Sequence, residues 1–301
     1  KETVLAQGAI ERPLLFADND RPGVMLASAA RTYINRYGVL PGREIVVFTG
    51  NDSAYLTALD AHEAGAKVEI VDLRPDPQGP LVDRARAQGI EIHAGCGITG
   101  THGKKALHGC EIAPLSEDGK SLAGDPFSLG CDCIAVAGGW NPTVHLFSQA
   151  RGKLKWDDAA QCFVPNYCQW PTRSAGAGNG TFTLAGCLAE GLEAGAAAAK
   201  AAGFGDGAAP EPPRVEIVEE GPTRQVWIVP SDVPLGHGKK HFHDHQNDVT
   251  AADIHLAARE GYVSVEHLKR YTTTGMGTDQ GKTSNVNALA VMAEIRNAQI
   301  P

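Results

Sequence analysis

The chain has 301 residues with a formal net charge of -8, and 43% of its residues are hydrophobic. The acidic balance argues against a nucleic-acid-binding protein, because phosphate binding needs a basic face, and no apolar run approaches the roughly 18 residues of a membrane span. Its seven cysteines are an odd, scattered set, which predicts reduced thiols in a cytoplasmic protein and no disulfide framework.

The chain opens on a strand-like segment, KETVLAQGAIERP, at residues 1–13. A strand followed by Gly8 and Ala9 usually comes late in a dinucleotide-binding domain, where earlier strands already form the sheet. We therefore expect this chain to be a piece of a longer polypeptide.

Residues 41–75 are the clearest βαβ unit of the sequence. An apolar, β-branched run at 45–48 is typical of a strand buried on both faces of a parallel sheet. A helix that ends at Gly65 follows, and then a second strand, which Asp72 closes about 20 residues after the turn, as in a Rossmann fold.

The turn of this unit lacks the glycines of a dinucleotide fingerprint. Only Gly50 is present, followed by Asn-Asp-Ser, whereas close approach of the backbone to a pyrophosphate needs several glycines. One interpretation is a degenerate Rossmann-like domain that binds no nucleotide. The alternative is a free-standing NAD(P)H-dependent flavin reductase that uses Gly50, Asp72 and Arg74 as its pyridine-nucleotide site.

Residues 131–150 repeat the pattern of the opening, with an apolar strand before Gly138 and Gly139. The segments 4–9 and 134–139 therefore look like late strands of one sheet that the βαβ unit interrupts. This nested order is typical of flavoprotein reductases. The sequence thus predicts an α/β protein with two nested Rossmann-like dinucleotide-binding folds of the disulfide-reductase type.

A glycine-rich turn at residues 174–183 runs into a long, Ala-rich helix. Backbone N–H groups at such a helix start attract a phosphate or a ribose, but a tight turn for close helix packing also explains the glycines. The order strand, glycine turn, helix favours cofactor contact.

Residues 203–216 form a Gly/Pro linker, which predicts a domain boundary. Beyond it we expect a strand at 224–229 and a mostly helical module whose first helix Thr250 would cap. The predicted domains are residues 1–40 (end of the first dinucleotide-binding domain), 41–125 (second, degenerate Rossmann-like domain), 126–205 (return to the first domain) and 206–301 (small, mainly helical domain).

Four segments carry a specific resemblance to a known family: residues 11–42, 47–60, 137–157 (AGGWNPTVHLFSQARGKLKWD) and 264–290 (SVEHLKRYTTTGMGTDQGKTSNVNALA). Over essentially its whole length the chain resembles the alpha subunit of heterotetrameric sarcosine oxidase. The resemblance implies the central part of that subunit. A ferredoxin-like domain and the first glycine-rich dinucleotide turn would precede it, and a folate-binding domain would follow it.

The resemblance implies a role in the oxidative demethylation of sarcosine to glycine, with O2 as acceptor and tetrahydrofolate taking the one-carbon unit. In that family FAD is held by the beta subunit, FMN lies between alpha and beta, and the alpha subunit binds a structural NAD. The implied partners are the beta, gamma and delta subunits, with no nucleic acid and no membrane. The chain has no triad, carboxylate pair or redox C-x-x-C, so we expect no catalytic residue in it.

Two groups of residues are expected to contact these cofactors. The NAD contacts fall on the glycine-rich turn, at Gly176, Ala177, Gly180, Thr181 and Thr183. Cationic and hydroxyl side chains suited to the FMN phosphate fall near the C-terminal end, at Lys269, Arg270, Thr273, Lys282 and Thr283, with Thr272 and Ser284 beside them.

The resemblance also interprets MGTDQGKTS at residues 276–284, which looks like a phosphate loop but lacks the Walker spacing G-x-x-x-x-G-K-[ST]. Relatives among amino-acid and opine dehydrogenases carry a cysteine-ligated [2Fe-2S] module. Its ligand positions fall here on Asp244, Gln246, Asp279 and Ser284. Because clusters need cysteine sulfur, with histidine an occasional substitute, we expect the module without its metal. The missing cysteines also disfavour a third interpretation, a structural subunit of an amino-acid, opine or proline dehydrogenase complex.

Two further groups have metal-like spacing. His241, His243 and His245 would share one face of a strand, but no distant ligand matches them, so we interpret them as loop histidines. Cys131 and Cys133 form a C-x-C next to a buried strand, where thiols usually only pack. We therefore predict no metal site.

Overall fold

A computed structural model describes residues 2–216 and 220–300 of the chain. Lys1, residues 217–219 and Pro301, which belong to the predicted domains 1–40 and 206–301, lie outside the described residues. In chain order the strands and helices are β1 (Thr3–Leu5), β2 (Ala9–Glu11), β3 (Val24–Leu26), α1 (Ala27–Tyr37), β4 (Glu44–Thr49), α2 (Tyr55–Glu63), β5 (Lys67–Asp72), α3 (Pro80–Ala87), β6 (Glu91–Ala94), β7 (Cys96–Gly103), β8 (Leu107–Pro114), β9 (Phe127–Leu129), β10 (Cys133–Ala137), β11 (Trp140–Pro142), α4 (His145–Gln149), β12 (Lys153–Asp157), β13 (Cys162–Tyr167), β14 (Thr172–Ser174), α5 (Leu184–Ala201), β15 (Phe242–Asp244), β16 (Val249–Thr250), α6 (Ala251–Arg259), α7 (Val265–Thr272) and α8 (Asn285–Ile295).

The chain divides into two compact units. Of the described residues, 2–10 and 140–216 form unit 1, whereas 11–139 and 220–300 form unit 2. The finer division at residues 40, 125 and 205 stays a prediction.

Unit 2 is built on a five-stranded parallel sheet with the order β3-β10-β4-β5-β6. The βαβ unit predicted at 41–75 is present as β4, α2 and β5. We expected residues 134–139 to share a sheet with residues 4–9, and this was wrong: β10 lies between β3 and β4, and β1 pairs with β14. Both segments have the same apolar, glycine-terminated pattern, and such a pattern does not specify a partner strand.

The core of unit 2 fills one face of this sheet. Val46 and Phe48, alternate residues of β4, pack in one buried cluster with Ile98 of β7 and Ile112 of β8. The antiparallel sheet β7-β8-β9 therefore covers that face. Helices α1 and α2 pack against the parallel sheet, and Thr57 of α2 donates a hydrogen bond to the backbone of α1. Each large apolar side chain buried here contributes about 1.5–3 kcal/mol.

Helices α6, α7 and α8 of unit 2 share a second cluster around Ile254, Leu268 and Val291. Thr250 begins α6 as predicted. Its hydroxyl accepts from the N–H of Asp253, and the Asp253 carboxylate accepts from the N–H of Thr250 at 2.8 Å, which is a capping box.

The strand predicted at residues 224–229 was wrong, because this segment is irregular. Arg224 N–H donates to Gly50 and Val229 N–H donates to Leu15. Two isolated bonds to two different loops satisfy the backbone without forming a strand ladder.

Unit 1 contains the parallel pair β1-β14, the antiparallel pair β12-β13 and the 18-residue helix α5. The helix predicted after the glycine turn is therefore present. No helix in the described part of the chain combines the length and apolar character that crossing a bilayer requires.

Candidate functional site

The predicted NAD turn joins β14 to α5. Gly176–Asn179 form a 3-10 turn, Gly180 has a left-handed φ of 91°, and the Thr183 hydroxyl caps α5 by accepting from the N–H of Gly186. A Cβ on Gly180 would lie 2.6 Å from Val164 Cγ1, so only glycine fits this turn. The strand, turn and helix order expected from the sequence is present.

Glu190 of α5 occupies the inside of this turn. Its carboxylate accepts hydrogen bonds from the N–H of Gly176 at 2.8 Å, the side chain of Asn179 at 3.3 Å and the hydroxyl of Thr181. Two of the predicted NAD contacts thus have an internal partner. The sequence analysis missed Glu190, although its position seven residues after the cap puts it on the same helix face. A carboxylate here repels a phosphate and suits a ribose hydroxyl or an uncharged group.

The turn after β4 holds a buried ion network. Asp72, fully buried at the end of β5, accepts from the Tyr55 hydroxyl at 2.7 Å and from Arg74 Nη2 at 2.8 Å. Arg74 Nη1 lies 2.7 Å from Asp52 Oδ1. Burial and the charge of Asp72 raise the pKa of Tyr55, so its hydroxyl stays a donor. In a nucleotide-binding Rossmann fold the strand-end acid faces a ribose; here protein groups occupy its oxygens.

A crossing segment, residues 220–229, lies over the same sheet edge. Gly221 N–H donates to Asp52 at 2.6 Å, Arg224 N–H donates to Gly50, and the Arg224 guanidinium donates to the Leu73 carbonyl at 2.5 Å. A Cβ on Gly50 would clash with the Arg224 carbonyl oxygen. The chain therefore fills the place of the nucleotide. This contradicts the alternative in which Gly50, Asp72 and Arg74 form a pyridine-nucleotide site, and it supports a degenerate Rossmann-like fold.

Asp244 is the first of the four positions that the resemblance assigns to cluster ligands. It is 3% exposed, and its Oδ1 accepts from the N–H groups of Gln246 at 3.0 Å and Asn247 at 3.1 Å. Its Oδ2 accepts from the N–H of Gly275 at 2.7 Å and from the hydroxyl of Ser284 at 3.4 Å. One carboxylate thus joins residues 244–247 to the later loop.

The other two of the four positions, Gln246 and Asp279, are also joined by a hydrogen bond. Gln246 Oε1 accepts from the N–H of Asp279 at 3.3 Å, and the Asp279 carboxylate accepts from the N–H of Gly281 at 3.0 Å and the hydroxyl of Thr283 at 2.7 Å. Burial alone would raise the pKa of Asp279, but the bonds from Thr283 and Gly281 outweigh it and lower the pKa. All four positions therefore lie in one hydrogen-bonded network of oxygen and nitrogen atoms.

The predicted FMN-phosphate residues lie on α7 and on the loop before α8. Lys282 Nζ donates to the Asp279 carbonyl at 3.0 Å, and Arg270 Nη1 donates to the Glu266 carbonyl at 3.3 Å. Thr273 ends α7 with a left-handed φ of 65°. Lys269, on α7, is half-buried and Arg270 is exposed. Lys269 and Arg270 both lie in the last turn of α7.

Thr283 also lines a cavity of about 310 Å³ together with His245, Asn19, Asp20 and β3. The lining is mainly apolar, with a few polar groups, which is the usual make-up of a small-molecule pocket.

The two groups with metal-like spacing, the histidines at 241–245 and the cysteines at 131 and 133, lie in different environments. His241 and His243 are buried while His245 is exposed, so the three do not share one environment. His243 Nε2 lies 3.1 Å from the Thr274 hydroxyl, and burial lowers the pKa of His243 to about 4. Burial raises the pKa of Cys133 to about 12, which agrees with an inert packing thiol.

Comparisons with known proteins agree with this architecture. Residues 238–301 match the model of the sarcosine oxidase A3 domain. The chain is 42% identical over 305 residues to sarcosine oxidase subunit alpha of Corynebacterium sp. (strain P-1), and 41% identical over 302 residues to that of Rhizobium meliloti (strain 1021). These alignments cover 100% and 98% of this chain but 31% and 28% of the relatives, so the chain spans less than a third of their length.

Two solved structures are similar in fold. The L-proline dehydrogenase of P. horikoshii has a TM-score of 0.66 at 20% identity, covering 100% of this chain and 54% of that one. The thioredoxin reductase of T. acidophilum has a TM-score of 0.51 at 16% identity, covering 64% of this chain and 63% of that one. At such low identities these two structures are evidence for the fold alone. They confirm the predicted α/β fold of the disulfide-reductase type.

Proposed function

Since this chain is related over its whole length to the alpha subunits of sarcosine oxidase, we propose that it forms the central part of such a subunit and supports the oxidative demethylation of sarcosine to glycine. The observation that carries the proposal is the 42% identity across the entire chain. In this proposal O2 is the acceptor and tetrahydrofolate takes the one-carbon unit in a further domain. The C–H bond is broken at FAD in the beta subunit, so this chain contributes no catalytic residue.

The proposed partners are beta, gamma and delta subunits in a cytoplasmic heterotetramer. None of the seven cysteines, all of which lie in the described part of the chain, forms a disulfide, as we propose for a protein of a reducing compartment. The complex, purified with its partner subunits, is expected to consume O2 when sarcosine is added. Turnover of proline or another amino acid without turnover of sarcosine would refute the assignment.

For NAD we propose contacts at Gly176, Ala177, Gly180, Thr181 and Thr183. The support is the glycine turn at the start of α5, whose first backbone N–H groups have no partner within the helix. The carboxylate of Glu190 restricts the fit, because it favours the ribose or another uncharged part over the pyrophosphate at Gly176. Glu190→Gln should then change NAD retention, measured by mass spectrometry of the released cofactor.

For FMN we propose that Lys269, Arg270, Thr273, Lys282 and Thr283 face the phosphate. Bound there, FMN would supply electron transfer, while these side chains would hold its charged end. Lys269 and Arg270 carry the argument, since Lys282 and Thr283 already donate to Asp279.

The double variant Lys269→Ala/Arg270→Ala tests this assignment. It should lower the FMN content of the complex, measured after release of the flavins, and leave the FAD content unchanged. Arg296→Ala is the matched control, because it removes an exposed guanidinium of unit 2 whose described hydrogen bond goes to the Val263 carbonyl. Equal FMN in the double variant and the control would refute the site.

A second candidate is a structural subunit of an amino-acid or opine dehydrogenase complex. The fold that the chain shares with the L-proline dehydrogenase of P. horikoshii is compatible with this candidate but assigns no function. A visible spectrum separates the two: flavin bands without iron agree with the first proposal, and bleachable iron–sulfur bands would favour the second. The oxygen donors at the four cluster positions argue for the first.

A further inference from the structure

Three ligand-type side chains meet near the amino end of the parallel sheet in unit 2. Glu69 lies on β5, and Glu91 and His93 lie on the edge strand β6. Glu69 faces Glu91 directly across the strand pair, and His93 is two residues further along the same face. One ligand atom from each of the three lies within 4.8 Å of the others.

The surroundings of this cluster favour a cation. Two carboxylates directly opposite each other on neighbouring strands repel. Lys67 Nζ lies 3.0 Å from Glu69 and neutralises part of this negative charge, but the Lys67 side chain is 64% exposed.

The imidazole is already oriented. His93 Nε2 lies 2.9 Å from Glu69 Oε2, and only 12% and 14% of the two side chains are exposed. The ring of Phe127 from β9 packs edge-on to His93, with 5.7 Å between the ring centroids. Packing of this kind fixes a ligand in place and reduces the entropy lost on binding an ion.

We propose that Glu69, Glu91 and His93 bind a divalent transition-metal ion of the zinc type. Imidazole nitrogen and carboxylate oxygen suit Zn²⁺, whereas Ca²⁺ and Mg²⁺ prefer oxygen ligands alone. Ligand atoms about 2.0–2.2 Å from one Zn²⁺ are roughly 3.4 Å apart in a tetrahedron, so the 2.9 Å between Nε2 and Oε2 widens by about 0.5 Å when the ion binds. The ion displaces the proton shared by His93 and Glu69, which is released to solvent, and the exposed Glu91 turns inward as third ligand.

Within unit 2 this site is separate from the turn after β4. Ligands of open α/β sheets bind beyond the carboxyl ends of the strands, whereas Glu91 is the first residue of its strand. An ion here would tie the edge strand β6 to β5.

Zn²⁺ titration of the chelator-treated chain, followed by calorimetry, tests the proposal. We expect one site in the parent chain. His93→Ala and Glu91→Gln should each weaken binding by at least about tenfold, as loss of a ligand or its support does. Lys67→Met should act in the opposite direction and tighten binding, because it removes the competing cation.

The controls address the other imidazoles. His108→Ala removes an exposed ring stacked 6.5 Å from that of His102, and His245→Ala removes an exposed ring of the 241–245 group. Both should bind Zn²⁺ like the parent chain, and Co²⁺ added in place of Zn²⁺ should give visible absorption that His93→Ala loses. Unchanged binding in both His93→Ala and Glu91→Gln, or loss of the site in either control, would overturn the proposal. Circular dichroism of each variant excludes a folding defect as the cause of lost binding.

Discussion

Asp244→Ala tests whether the hydrogen-bonded network at the four cluster positions holds this part of the chain together. The substitution removes the acceptor of three backbone N–H groups and one hydroxyl. Helices α6, α7 and α8 pack around the same loops, so we expect the chain to fold but with lower stability.

The size of the loss follows from the burial of each donor. Gly275 is buried, so its N–H loses a charge-assisted bond and gains no water, which costs about 2 kcal/mol. Gln246 is exposed and Asn247 half-buried, so water can replace their bonds at about 0.5–1 kcal/mol each. The sum is about 3–4 kcal/mol for Asp244→Ala, and about 1–2 kcal/mol for Asp244→Asn, which keeps one carbonyl oxygen.

Urea unfolding followed by circular dichroism measures these differences, and an unchanged m-value shows that the unfolded state is not altered. Asp125→Ala is the matched control, because Asp125 is an exposed carboxylate in the same unit and should change stability by less than about 0.5 kcal/mol. If Asp244→Ala and Asp125→Ala have the same free energy of unfolding, the network contributes nothing and the reasoning fails.

Three further outcomes are expected. Burial raises the pKa of Glu11 from 4.5 to about 7 despite its bonds from Ser28, so its contribution to stability is complete below pH 4.5 and is lost as the pH rises through 7. This amounts to about 3 kcal/mol, and Glu11→Gln should remove that pH dependence from chemical unfolding curves; an unchanged profile would contradict it. Gly50→Ala should displace the crossing segment, at a cost of about 1–3 kcal/mol, and expose the bond after Arg224 to trypsin, whereas Gly65→Ala should leave that bond protected. Thr183→Ala should lower the free energy of unfolding by about 1 kcal/mol through loss of the cap of α5, and no change would show that water replaces the cap.

Local patterns predicted the elements whose bonds are local. The apolar run of β4, the helix that follows and the cap at Thr250 each depend on residues within a few positions of one another. The partner of β10 was not predictable in the same way, because β3, more than a hundred residues earlier in the chain, pairs with it. Nothing in an apolar run specifies a distant partner.

The site was predictable to a similar extent. The turn before α5 could be located from its glycines, but Glu190, which fills it, comes from the middle of a helix with no distinctive pattern. The crossing segment could not be predicted from the sequence either. Single hydrogen bonds from Arg224 and Val229 to distant loops impose no periodic pattern on the sequence.

The four positions that the resemblance assigns to cluster ligands are joined in this chain by hydrogen bonds. In the cysteine-ligated relatives, the cluster would tie residues 244–246 to residues 279–284. In this chain the Asp244 carboxylate reaches Ser284 and Gln246 reaches Asp279, so hydrogen bonds connect the same two segments. Such bonds need a pairing of donors and acceptors, which Asp with Ser and Gln with a backbone N–H provide, whereas an iron–sulfur cluster needs cysteine sulfur, with histidine an occasional substitute. The two segments are therefore connected although none of the four positions carries a thiolate.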